Sequence, residues 1–255
     1  MKNSRKNRTK KQILILLFSL AFLPLRIYSG EHSHWSYHGE GGPEHWGKVD
    51  PKYSLCSDGK HQSPIDLRWS KPTTSGKILF HYKDSKVSVI DNGHTIQIGF
   101  EEGNKVSIRG KSYDLVQLHF HSASEHTLSG NSFPLEMHLV HKDKDGKLAV
   151  LGVFIKEGEK NQLIDQIWSK IPKEKHAESH ASDFSLDPSH FLPTAHTYYT
   201  YDGSLTTPPC SEGVNWNVFN TPVEFSKEQI ETFKKFYTKN NRPLQRLNGR
   251  RLANY

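Results

Sequence analysis

Three histidines, His119, His121 and His138, occupy positions where imidazoles can do chemistry. His119 and His121 are two residues apart in QLHFH (117–121), and His138 follows a loop-like stretch, in LEMHLVH (135–141). The spacing alone is weak evidence, since His32-Ser33-His34 repeats it in a chain with 16 histidines. The strand setting is what counts. Side chains at i and i+2 project from one face of a strand, and a return through the loop 122–133 sets His138 beside the first two. Three neutral imidazoles with no cysteine make a Zn²⁺ site with a fourth position open, as catalytic zinc requires. Gln117 and Glu136 each precede a histidine by two, share its face, and can accept the second ring N–H that orients a metal-bound imidazole. Burying such an alternation without a metal would be costly; the plainer alternative is a polar face turned to solvent. By parity His141 points to the opposite face. Glu125 and His126 fall in the loop and read as supporting residues.

The elements that position these residues read as strands. Period-2 alternation recurs in KVSVI (86–90), TIQIGF (95–100), KVSIRG (105–110), YDLVQLHFH (113–121), LEMHLVH (135–141) and LAVLGVFIK (148–156). Turn signals separate them: Asp91-Asn92-Gly93, Glu102-Gly103-Asn104 and Lys144-Asp145-Gly146. Spacings this short favour an antiparallel meander over strand–helix–strand units. Two helices interrupt it. Leu163, Ile164, Ile167, Trp168 and Ile171 share a helical face that Pro172 ends, and Ser226 with Gln229 forms a capping box ahead of Ile230, Phe233 and Tyr237. The expected class is mainly β (α+β), a single domain with peripheral helices and no internal repeat.

The net charge of +7 suggests an anionic partner, but Lys2, Arg5, Lys6, Arg8, Lys10, Lys11 and Arg26 account for all of it. The remainder carries no formal net charge, so nothing points to nucleic acid. Residues 1–30 read as a secretory signal: a cationic start, QILILLFSLAFLPL, then small residues at Ser29 and Gly30. The uncharged run from Gln12 to Leu25 spans about 21 Å as a helix, short of a hydrocarbon core of about 30 Å. Cleavage is therefore favoured over anchoring, with no stable membrane span in the mature chain, although the cleavage position is poorly defined. No cysteine follows the apolar run to carry a lipid. In an exported protein, periplasmic or secreted, Cys56 and Cys210 are most simply one disulfide, the alternative being two buried thiols.

Several ordered blocks together resemble an α-class carbonic anhydrase of the bacterial, exported type. They are WSYHGEGGPEHW (35–46), QSPIDL (62–67), NGH (92–94), QLHFH (117–121), SEHT (124–127), EMHLVH (136–141), AVLGVF (149–154), GSLTTPP (203–209) and NNRPLQ (240–245). The resemblance spans nearly all of residues 31–255 and implies a large, twisted, mainly antiparallel central sheet. It implies one Zn²⁺ per chain on His119, His121 and His138, and reversible hydration of CO₂ to bicarbonate and a proton by zinc-bound hydroxide. Thr206 resembles the family's gatekeeper, which orients the nucleophile by donating its own hydrogen bond to Glu125. Val140, Val150, Leu205, Val214 and Trp216 match an apolar substrate pocket, and Thr207 lines the anion site. Read alone, each apolar residue is simply core, and Thr206 a turn residue. His94 matches the proton shuttle, suited by an imidazole pKa near 6.5, with Tyr37 and Asn92 organising water beside it. Ser122 stands where animal members often carry tryptophan, and Thr95 and Gln97 also depart; these bear on turnover, not on the zinc triad. The two cysteines match a disulfide of extracytoplasmic members that would brace the loop of Thr206 and Thr207. Alternatives are a non-catalytic binding protein on the same fold and a zinc-dependent esterase, the latter also a possible side activity. The chain is expected to be a monomer or dimer.

Overall fold

The computed structural model describes residues 34–68 and 76–255, and only the backbone of residues 180–183. The leader reading of residues 1–30 lies outside them. Thirteen strands are present among the described residues. The first five are β1 (Asp66–Leu67), β2 (Ile78–His81), β3 (Ser85–Asp91), β4 (Ile96–Phe100) and β5 (Lys105–Ile108). Then come β6 (Lys111–His121), β7 (Thr127–Leu128), β8 (Leu135–Lys142) and β9 (Leu148–Glu157). The last four are β10 (Ala177–Leu186), β11 (Tyr198–Ser204), β12 (Glu212–Phe225) and β13 (Ala253–Asn254). Eleven form one sheet in the order β10-β3-β4-β6-β8-β9-β12-β11-β13, with β2 and β5 continuing beside the first half of β6. All of its pairings are antiparallel except β9 with β12. The mainly antiparallel expectation therefore holds, and the simple meander stops at β9.

Local chemistry explains the key turns. Arg109 and Gly110 join β5 to β6 with φ of 51° and 77°, the two positive values a two-residue type I′ hairpin demands. Among the described residues, four short α-helices lie at the periphery: α1 (Trp46–Val49), α2 (Leu55–Asp58), α3 (Gln162–Trp168) and α4 (Lys227–Phe236). The Asn161 side chain caps α3 by accepting from the Leu163 and Ile164 amides, and α3 ends before Ile171. At α4 the Ser226–Gln229 capping box forms as expected. Both helices bury their apolar stripe, Ile164 and Ile167 with Ile230 and Phe233, against one face of the sheet. No described helix is long and apolar enough to cross a membrane.

One irregularity decides which residues reach the other face. Opposite β8, Leu115 pairs with His141 but Gln117 pairs with Val140, so Val116 is the extra residue of a β-bulge. Before the bulge the odd residues Tyr113 and Leu115 face the main core; after it the even residues Leu118 and Phe120 do. Gln117, His119 and His121 are thereby released together to the opposite face, where a smaller apolar cluster gathers around Ile65, Leu67, Phe154 and Trp216.

Candidate metal centre

The register of β6 and β8 sets His119 directly across from His138, and His121 across from Glu136. Ring centroids of the three histidines are 4.6 to 5.2 Å apart. One nitrogen from each lies within 4.8 Å of the others. His121 and His138 are buried and His119 partly so.

The remaining nitrogen of each ring is held by an acceptor. His119 Nδ1 donates to Gln117 Oε1 at 2.8 Å, His121 Nδ1 to the Asn240 carbonyl at 2.7 Å, and His138 Nε2 to Glu136 Oε1 at 2.8 Å. These bonds set the tautomers. Each ring N–H points outward, leaving the lone pairs on His119 Nε2, His121 Nε2 and His138 Nδ1 to converge. His121 Nε2 is buried with no hydrogen-bond partner. An orphaned buried nitrogen costs free energy, and a cation would satisfy it. Burial, then the neighbouring imidazoles, push His119 well below the ordinary histidine range, and burial first lowers His121 as well. Both are therefore neutral near pH 7, the form a metal needs. The donor set and its buried orphan fit Zn²⁺.

Glu136 is fixed from behind. Burial pushes its carboxyl up, but His126 and His138 hold it well below the usual range. His126 Nδ1 and its backbone N–H both donate to Glu136, each at 2.8 Å. His126 Nε2 meets the Tyr201 hydroxyl at 2.7 Å, which is 2.8 Å from Ser63 Oγ. His126, Glu136 and His138 also cluster within metal-binding distance, but both His126 nitrogens are engaged, so the group is a hydrogen-bonded chain. Gly152 lies across from His138, and a Cβ there would come within 3.2 Å of Glu136 Oε1. His141 sits on the core side, with Nε2 2.7 Å from the Tyr82 hydroxyl.

Glu125 is held at one of its two carboxylate oxygens. Glu125 Oε1 accepts from the Arg242 backbone N–H at 2.8 Å, while Oε2 is buried without a hydrogen bond, 3.6 Å from His121 Nε2. Thr206 is buried, with Leu205 and Thr207 half-buried beside it. Cys56 and Cys210 form a disulfide, and the Cys210 amide donates to the Thr207 carbonyl at 2.9 Å. Val140, Val150, Leu205, Val214 and Trp216 all fall in the smaller apolar cluster. The Trp216 ring lies 4.8 Å from that of His138.

His94 sits in the β3–β4 turn, where Asn92 Oδ1 accepts from the amides of His94 and Thr95, each at 2.9 Å. Asn92 thus shapes the turn. The His94 ring stacks on Trp35, with centroids 3.8 Å apart and planes 10° off parallel. Burial, then His34, His176 and Lys175, lower its pKa. Tyr37 is edge-on to Trp35 and Trp46, and burial, then the Glu125 charge, raise its hydroxyl well above the ordinary value.

Sequence reasoning missed four supporting residues. Asn240 orients His121 through its carbonyl, and its side-chain amide donates to the carbonyls of Phe120 and His94, each at 3.0 Å. Arg242 is buried; besides its amide bond to Glu125, its guanidinium donates to Gln62 Oε1 and to the carbonyls of Ser63 and Cys56. Tyr201 and Trp35 are the others. Asn240 and Arg242 lie in NNRPLQ, where two polar residues near a chain end give no local sign of burial.

The family model for eukaryotic-type carbonic anhydrase matches residues 41–255. A carbonic anhydrase of Nostoc sp. is 39% identical over 221 residues, covering 85% of this chain and 84% of that protein. One from Pectobacterium carotovorum is 42% identical over 219 residues, covering 85% and 89%. Among solved structures, the α-carbonic anhydrase of Thermovibrio ammonificans in complex with the inhibitor sulfanilamide superposes with a TM-score of 0.83. It is 45% identical, with 86% of this chain and 98% of that chain covered.

Proposed function

Because this chain belongs to the eukaryotic-type carbonic anhydrase family, we propose that it catalyses the reversible hydration of CO₂ outside the cytoplasm, with one Zn²⁺ on His119, His121 and His138. The observation that carries the metal assignment is the convergence of three ring nitrogens whose partner nitrogens are all engaged, one of them a buried orphan. When bound there, zinc acts as a Lewis acid that lowers the pKa of a coordinated water to about 7.

The chain's own residues do the rest. Gln117, the Asn240 carbonyl and Glu136 hold the three imidazoles in the required tautomers and keep their lone pairs aimed inward. Glu125, fixed at Oε1 by Arg242, keeps Oε2 free to accept from the Thr206 hydroxyl. That commits Thr206 to act as an acceptor toward the attacking oxygen, a positioning effect. Val140, Val150, Leu205, Val214 and Trp216 provide an apolar wall that suits CO₂ and excludes bulk water, and Thr207 borders the place where bicarbonate forms. His94 takes up the product proton at its ring nitrogen, with Tyr37 and Asn92 ordering water on the way, and passes it to buffer. Residues 1–30 serve as the export signal, a reading the disulfide supports. The same activated oxygen would support slow ester hydrolysis as a side activity.

The deciding experiment is stopped-flow CO₂ hydration on protein of measured metal content. Turnover well above buffer with one zinc per chain is expected; zinc-loaded protein no faster than buffer would refute the assignment.

A further inference from the structure

The turn that carries His94 is held at both ends by one short segment, residues 237–240, which follows α4. At its start stands Asp91, the last residue of β3 and only 2% exposed. A buried carboxylate is costly unless it is hydrogen-bonded. Here Oδ1 accepts from the Gly93 amide at 2.9 Å and from the Tyr237 hydroxyl. Burial, then the Asp91 carboxylate, push that hydroxyl well above its ordinary range, so it stays a donor. At the far end the His94 carbonyl accepts from the Asn240 side-chain amide at 3.0 Å. The backbone carbonyl of the same Asn240 accepts from His121 at 2.7 Å, so one segment touches both the turn and the metal centre. The His176 ring closes a third side, filling the space that a Cβ on Gly93 would need. On its outer side the turn borders a recess of about 250 Å³ lined by His34, His38 and Lys175 among others, so its position depends on what holds it from within.

A proton passes between groups only along hydrogen bonds, whose heavy-atom distances span about 2.5 to 3.2 Å. A water path from the metal centre to His94 therefore tolerates little movement of the turn, and a displacement of about 1 Å is enough to break it. We propose that Tyr237, acting through Asp91, is a positioning residue for proton export: it locks the His94 turn to the segment that orients His121, and so fixes the gap the proton must cross. The proposal rests on the shuttle reading of His94. Tyr237 acts on this route alone. The contact of its segment with the metal centre is made by the Asn240 backbone carbonyl, which Tyr237→Phe leaves in place.

Steady-state CO₂ hydration by the zinc-loaded protein tests this, because export follows the formation of bicarbonate and so enters kcat and not kcat/KM. In weak buffer Tyr237→Phe should lower kcat about two- to tenfold, part of the roughly 100-fold or more that a well-placed proton-transfer group supplies. Zinc content and kcat/KM should stay at the parent values. Added imidazole should restore kcat, since it takes the proton without using His94. Tyr237→Phe combined with His94→Ala should be no slower than His94→Ala alone, the non-additivity expected of two groups on one route. Equal falls in kcat and kcat/KM overturn the proposal, because they mark a general disturbance of the fold. A further loss in the double variant overturns it as well. So does an unchanged kcat in Tyr237→Phe while His94→Ala is slow, and that result leaves the shuttle reading standing. If His94→Ala itself keeps full kcat in weak buffer, the shuttle reading fails and the proposal falls with it.

Discussion

At the residue scale, the centre depends on acceptors as much as on imidazoles. Glu136 holds His138 and is itself held by two bonds from His126. Glu136→Gln keeps the shape but removes the charge, so zinc affinity should fall about 10- to 100-fold, measured by chelator competition. His94→Ala should slow turnover in weak buffer and recover in part with added imidazole; an unchanged rate at low buffer would remove its shuttle role. His141 offers a pH prediction, since burial lowers it from 6.5 to about 4. The unfolded chain takes up this proton near 6.5 and the folded chain only near 4, so between those values unfolding binds a proton and stability falls as pH drops. The loss from this group is on the order of 3 kcal/mol over that window, complete near pH 4. Imidazole NMR titration of the zinc-loaded protein should find His141 neutral at pH 5.

At the element scale, strand parity put His119 and His121 on one face with His138 beside them once these segments were read as strands, because a period of two is a property of every strand. The same parity, carried back through Tyr113 and Leu115, would have put those residues on the metal face. The bulge at Val116 is what separates the two sets, and a bulge depends on pairing with β8, which local sequence does not encode. Helix α4 was legible to its cap because a capping box is a contact between residues three apart. Ser226→Ala should cost about 1 kcal/mol in urea unfolding, with hydration activity retained because α4 packs on the opposite face of the sheet. The long strand β12 was missed. Its alternation of Val214, Trp216 and Val218 is followed by Asn220-Thr221-Pro222, which reads as a turn, while the structure carries the strand past a register shift against β9.

At the scale of the whole molecule, the site is assembled from segments far apart in the chain. Arg242 ties the Cys56 carbonyl, Gln62, Ser63 and Glu125 together, and the disulfide closes a separation of 154 residues. Replacing both cysteines with serine should cost roughly 2 to 5 kcal/mol. Thermal or urea denaturation of the zinc-loaded double variant checks this, and a loss under 1 kcal/mol would mean that the buried Arg242 network braces the loop without it.

The amino-acid sequence by itself determined the strand period, the three histidines with Gln117 and Glu136, the α4 cap and the family resemblance. These are local patterns or ordered blocks, readable without knowing what touches what. Only the tertiary structure decided that the Asn240 carbonyl orients His121, that the Arg242 amide holds Glu125 at Oε1, and that a recess lined by histidines and a lysine borders His94. Each is a meeting of groups separated by dozens of residues. Burial and pairing, which create those meetings, belong to the folded chain as a whole.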